Sequence, residues 1–213
     1  MFFIGKNTMG SPPSKKVLDA ETKARLEAAV KELFSQQNFH QVNMRRIAQK
    51  TGVGLNTIYM HYESKERLLF AFVNEWIKHL DNRLVEHLQG LEDVKEKIRK
   101  TIWVILDFYE KNPDIGIIVV MTVPFKTWMT DETFKQKGLS MRVIDLLKEG
   151  QNKGVLDPDI PANFMFDILF GVIHRIVYIW LYLKQNESMT SKINMYFDTL
   201  WRAIENPETK KIS

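Results

Sequence analysis

Apolar residues recur at three- and four-residue intervals along most of the chain, the spacing of one face of an α-helix. The first run, Leu26, Ala29, Val30, Leu33 and Phe34, defines a helix that starts after Asp19 and ends near Gln37. The aspartate is suited to capping the first free backbone N–H groups. Asn43 is placed to do the same for a short helix from Met44 to Thr51. Gly52 stops that helix, because a residue without Cβ adopts positive φ at little cost. A second short helix is read from Leu55 to His61. Ser64 then opens a long one that reaches about Gln89. Further helices are expected over 92–111, in two pieces within 125–153, over 162–185 and over 188–206. The stretch 114–123 is apolar and short, and Pro124 ends it. Strand-type alternation is weak, and no Asn-Gly or Asp-Gly hairpin turn occurs. The expected fold is all-α, with about nine helices. A flexible basic arm (1–18) precedes an N-terminal three-helix domain (19–66), and a larger helical domain (67–213) follows.

Composition narrows the chemistry. The chain has 213 residues, 45% hydrophobic and 26% charged, the balance of an ordinary soluble domain. It contains no cysteine, which excludes disulfides, thiolate metal sites and a cysteine nucleophile. Glycine is sparse and no GxGxxG, GxxxxGK[ST], GxSxG or HExxH string occurs, so phosphate-cradling loops and the common hydrolase motifs are missing. Asp107, Asp145 and Asp167 sit in apolar runs, but no base, nucleophile and orienting group recur at a workable spacing. His79 and His87 lie about 80° apart and roughly 12 Å along one helix, too far to share an ion. No catalytic residue, metal or cofactor is expected. The start of the chain lacks the apolar core of a secretion signal. The longest apolar stretch, Ile168 to Leu183, is broken by His174 and Arg175, a poor pattern for a membrane span. A cytoplasmic protein is expected.

Charge is unevenly placed. Residues 1–66 hold ten Lys/Arg against six Asp/Glu, whereas 67–213 hold twenty of each. A basic module on a neutral body suits an anionic partner. Within that module, VNMRRIAQKTGVGLNTIYMHY (42–62) meets the spacing rules of a helix-turn-helix. Ala48 is small where two helices cross, Gly52 tolerates the turn four residues later, and Ile58 is a branched apolar plug ten residues after the alanine.

Residues 47–69, IAQKTGVGLNTIYMHYESKERLL, resemble the TetR-type bacterial transcriptional regulators. They are similar to that family's IA-x-x-x-GV, T-[LI]-Y-x-[HY]-[FY] and SKE-x-LL strings, and LFSQQNFHQVNM (33–44) resembles the run that precedes them. Gly54, and Leu55 with Asn56, depart from the residues common there, which leaves the DNA sequence read by the second helix open. The resemblance implies a homodimer binding a palindromic double-stranded DNA operator, most simply as a repressor. On the DNA-binding second helix, Leu55, Asn56, Thr57, Tyr59, Met60 and His61 include the outward positions; asparagine suits adenine, threonine or leucine suits a thymine methyl, and tyrosine or histidine can donate to phosphate. Arg45, Arg46 and Lys65 are candidates for backbone phosphates.

The larger domain carries all five tryptophans. Most of its aromatic residues must form core, but the resemblance implies a cavity for a small apolar or aromatic effector. The candidate lining is Trp103, Leu106, Tyr109, Met121, Trp128, Phe134, Met141, Phe170 and His174. The last two helices have apolar stripes that imply a subunit interface, with Tyr178, Leu181, Tyr196, Phe197, Leu200 and Trp201 as its candidates. A DNA-bound organising or division-control protein of this fold, with no inducer, satisfies the same pattern. It is told apart by an occluded core and by DNA affinity insensitive to metabolites.

Overall fold

A computed structural model describes residues 18–124, 126–127, 137–184 and 187–208. Trp128 and Phe134 therefore lie outside the described residues. Nine helices run through the described part: α1 (Ala20–Gln36), α2 (Met44–Thr51), α3 (Leu55–Tyr62), α4 (Lys65–Leu88), α5 (Val94–Lys111), α6 (Pro113–Gly116), α7 (Lys137–Asn152), α8 (Ala162–Tyr182) and α9 (Ile193–Ile204). The one pairing of extended residues among them is an isolated bridge between Leu156 and Glu205.

The helix ends follow from side chains near each terminus. Asp19 accepts the Thr22 N–H at 2.8 Å, Asn43 accepts that of Arg46, Ser64 that of Arg67 and Asp93 that of Glu96. Each satisfies one of the N–H groups that a helix start leaves free. The apolar stretch after Asn112 is helical too. Pro113 begins α6, whose missing N–H is no loss at that position, and Ile117–Thr122 continue it in wider π turns.

α1, α2 and α3 form one small bundle that packs on the start of α4. α4 buries Leu68, Leu69, Phe72, Val73 and Trp76 beneath that bundle and Leu80 and Leu84 beyond it. α5 lies at the centre of the larger body, against α4, α7, α8 and α9, with every residue from 104 to 109 buried. The stripe on α9 is covered within the chain itself. Phe197, Leu200, Trp201 and Ile204 are buried inside the chain, as is Leu181, whose methyl groups approach Gly116. An amphipathic stripe states that one face is covered; here the chain's own α5 and α8 cover it. Tyr178 and Tyr196 remain half-exposed.

Candidate nucleic-acid interface

The turn between α2 and α3 is held from three directions. Gly52 takes φ 69°, and its N–H donates to the Ala48 carbonyl at 2.9 Å. The Thr51 hydroxyl donates back to the Ile47 carbonyl and accepts the Val53 N–H. From α1, the Arg25 guanidinium donates to the Thr51 carbonyl at 3.2 Å. Ile58 is wholly buried and pins α3 to the bundle. With that face fixed, the other must point outward. Asn56, Tyr59 and Met60 are exposed, and Leu55, Thr57 and His61 are partly so. α3 thus presents an amide and methyl groups, which suit base edges in a major groove, beside a phenol that can donate to phosphate.

Arg45 and Arg46, in the first turn of α2, are exposed, and neither forms an ion pair among the described residues. Lys50, by contrast, pairs with Glu32 on α1. Lys65 is placed differently from a simple phosphate contact. Its ammonium donates to the carbonyls of Phe39 and Val42 at 2.9 and 3.1 Å and lies 4.4 Å from the centre of the Phe39 ring. Two of its three N–H donors close the loop between α1 and α2.

α4 is fastened in both halves. In its first half, Lys23 of α1 pairs with Glu75 at 2.6 Å, and the Trp76 indole N–H donates to Glu27 of α1. Further along, Asp81 accepts two hydrogen bonds from Arg142 of α7, and Arg83 donates to Asp107 of α5, which also accepts from Lys111. Burial raises the pKa of Asp107. The hydrogen bonds from Arg83 and Lys111 outweigh that effect and hold it below the ordinary carboxylate value.

Between α5, α7 and α8 runs an apolar seam bounded by Ile98, Thr101, Ile102, Ile105, Val143, Leu146, Leu169, Phe170 and Ile173. It encloses only about 10 Å³. Of the lining residues expected from the sequence, Phe170 borders it. Leu106 and Tyr109 are buried elsewhere in the core, with the phenol pKa pushed up by burial. Trp103 is half-buried between His87 and Lys100. Met121, Met141 and His174 are exposed and line no enclosed space here. The seam is aliphatic where the expectation favoured aromatics. Its signal in the sequence is the 98, 101, 102, 105 stripe of α5, which cannot be told from plain packing.

Residues 26–72 match the family model described as bacterial regulatory proteins, tetR family, and residues 73–203 match the YsiA-like protein C-terminal region. The chain belongs to the TetR family. It is thus a DNA-binding transcriptional regulator and not an enzyme. As a family member it is 22% identical over 183 residues to the fatty acid metabolism regulator protein of Bacillus subtilis, covering 85% of this chain and 94% of that one. Its fold is shared by the fatty acid degradation regulator FadR from Bacillus halodurans, with a TM-score of 0.77 and 18% identity over 87% of this chain and 97% of that one. It is also shared by FadR from Bacillus subtilis in complex with stearoyl-CoA, with a TM-score of 0.74 and 20% identity over 83% and 96% of the two chains.

Proposed function

We propose that this regulator is a homodimeric repressor whose α3 helices read a palindromic operator, and that a long-chain fatty acyl thioester releases it. The observation that carries the DNA reading is the geometry of α3. Ile58 is fully buried while Asn56, Tyr59 and Met60 on the other side are exposed, with Arg45 and Arg46 beside them. Two such helices about 34–36 Å apart fit successive major grooves, which is why the active form is a dimer. In this reading Arg45 and Arg46 contact phosphate, and Lys65 positions α2 by holding the loop before it.

The effector reading rests on the aliphatic seam and on the stearoyl-CoA complex of a structural relative. Ligand pockets span roughly 300–1,000 Å³. An acyl chain therefore enters only if α7 parts from α5 and α8. Arg142 on α7 holds Asp81 on α4, so that movement pulls on the helix whose other end carries the reading bundle. The ligand shifts the balance between two conformers by its differential affinity for them.

The test of the DNA reading is selection of duplexes from a random pool, followed by salt titration of the selected site. The expected product is a palindrome whose affinity falls steeply with salt, and Arg45→Ala and Arg46→Ala each flatten the slope by about two units, one per subunit. Failure to enrich any sequence contradicts the reading.

A further inference from the structure

The side of α3 that faces away from its buried residue decides which bases it can tell apart. At about 100° per residue from Ile58, Asn56 and Met60 each lie about 160° round the helix, one on either side of its outermost line. Tyr59 and Thr57 fall on the flanks, and Leu55 and His61 lie nearer the bundle. Asn56 and Met60 are both exposed. Asn56 is also the second residue of α3, and the N-terminal residues of such a helix are the ones that reach base edges. Position round the helix and position along it single out the same side chain. Its amide forms no hydrogen bond among the described residues, so donor and acceptor are both available.

What α3 lacks is equally specific. Guanine offers two acceptors in the major groove, O6 and N7, and is most often read by an arginine or a lysine. LNTIYMHY (55–62) contains neither. The cations around it are engaged elsewhere. Lys23, Lys31, Lys50 and Arg67 pair with Glu75, Glu27, Glu32 and Glu63. Arg25 and Lys65 donate to backbone carbonyls. Among the described residues of the bundle this leaves Arg45 and Arg46, both in the first turn of α2. An asparagine amide carries a donor and an acceptor side by side, which match the N7 acceptor and the N6 amino donor of adenine. Methionine has no donor and a flexible apolar end, which suits a thymine methyl.

We propose that the base pairs beneath α3 in each half-site are A·T pairs and that Asn56 sets this preference. The Asn56 amide donates to adenine N7, and its carbonyl accepts from the N6 amino group. Met60 packs on a thymine methyl about two base pairs further along, since four helical residues rise about 6 Å against about 3.4 Å per base pair. α3 reads no guanine. The inference rests on the DNA reading proposed above and adds its base preference. Leu55 and Asn56 depart from the residues common in the family, so the preference belongs to this chain.

Duplexes selected by the full chain, remade with base analogues, test this. Replacing the contacted adenine of each half-site with 7-deazaadenine, which lacks N7, is expected to weaken wild-type binding roughly 5- to 150-fold. Replacing the thymine beneath Met60 with uracil, which lacks the methyl, is expected to weaken it about fourfold. Asn56→Ala is expected to be indifferent to 7-deazaadenine, to lose discrimination at that base pair, and to keep the wild-type salt slope and helical circular dichroism. Met60→Ala is expected to be indifferent to uracil. Asn56→Arg is expected to move the preference at the same base pair from adenine to guanine. If Asn56→Ala discriminates at every base pair as the wild type does, or flattens the salt slope as a lost phosphate contact would, the assignment of Asn56 is overturned. A G·C pair at the position where Asn56→Ala relaxes selection overturns it as well. In each of these cases the DNA reading stands. If no sequence is enriched at all, the DNA reading itself fails.

Discussion

At the residue scale, the turn of the reading bundle was legible because it depends on small, local requirements. Ala48, Gly52 and Ile58 are spaced as two crossed helices need, and the structure gives Gly52 the positive φ, 69°, that the spacing implies. Gly52→Ala is expected to lower stability by about 1 kcal/mol, read as a shift of the urea midpoint, since alanine pays for the left-handed conformation. Lys65 was not legible. Its partners are backbone carbonyls 26 and 23 residues upstream, and no side-chain pattern marks a carbonyl. Lys65→Ala should therefore cost about 2 kcal/mol of stability, from two charge-assisted hydrogen bonds, and leave the salt slope of DNA binding nearly unchanged. A flattened slope with unchanged stability would return Lys65 to the phosphates.

At the element scale, helix starts followed from Asp19, Asn43 and Ser64, but the destination of each apolar stripe did not. The faces of α8 and α9 both read as cover-seeking. The structure gives the α9 stripe to the chain's own core and leaves the outer face of α8 open. Periodicity fixes which residues share a face and says nothing of what lies against it. Trp201→Ala is accordingly expected to destabilise the fold by about 3–5 kcal/mol, seen as a lower melting temperature, without dissociating subunits at temperatures where the fold survives. The ion pairs of α4 make a second element-scale prediction. Asp107 has a folded-state pKa below the ordinary value of 3.8, so its contribution to stability is present above that value and is lost as pH falls through the lower folded one. Urea titrations between about pH 2 and pH 6 should show this loss in the wild type and a flatter dependence in Asp107→Asn.

At the scale of the whole molecule, α4 joins two bodies with different tasks. Lys23–Glu75 and Glu27–Trp76 bind its first half to the reading bundle, and Asp81–Arg142 and Arg83–Asp107 bind its second half to the helices around the seam. Under the proposed function, a movement of α7 would be passed to the α3 bundle through these pairs. The ion pairs that fasten α4 lie 24 to 61 residues apart in sequence and left no local trace. The measurement that bears most directly on the account is fluorescence anisotropy of a selected operator duplex with stearoyl-CoA added. Coupling of about 1–3 kcal/mol is typical, so saturating ligand should weaken operator binding roughly 5- to 150-fold, and operator should weaken ligand binding by the same factor. An operator affinity unchanged by saturating acyl thioesters of any chain length would contradict it, and would favour a DNA-bound protein of this fold that answers to no metabolite.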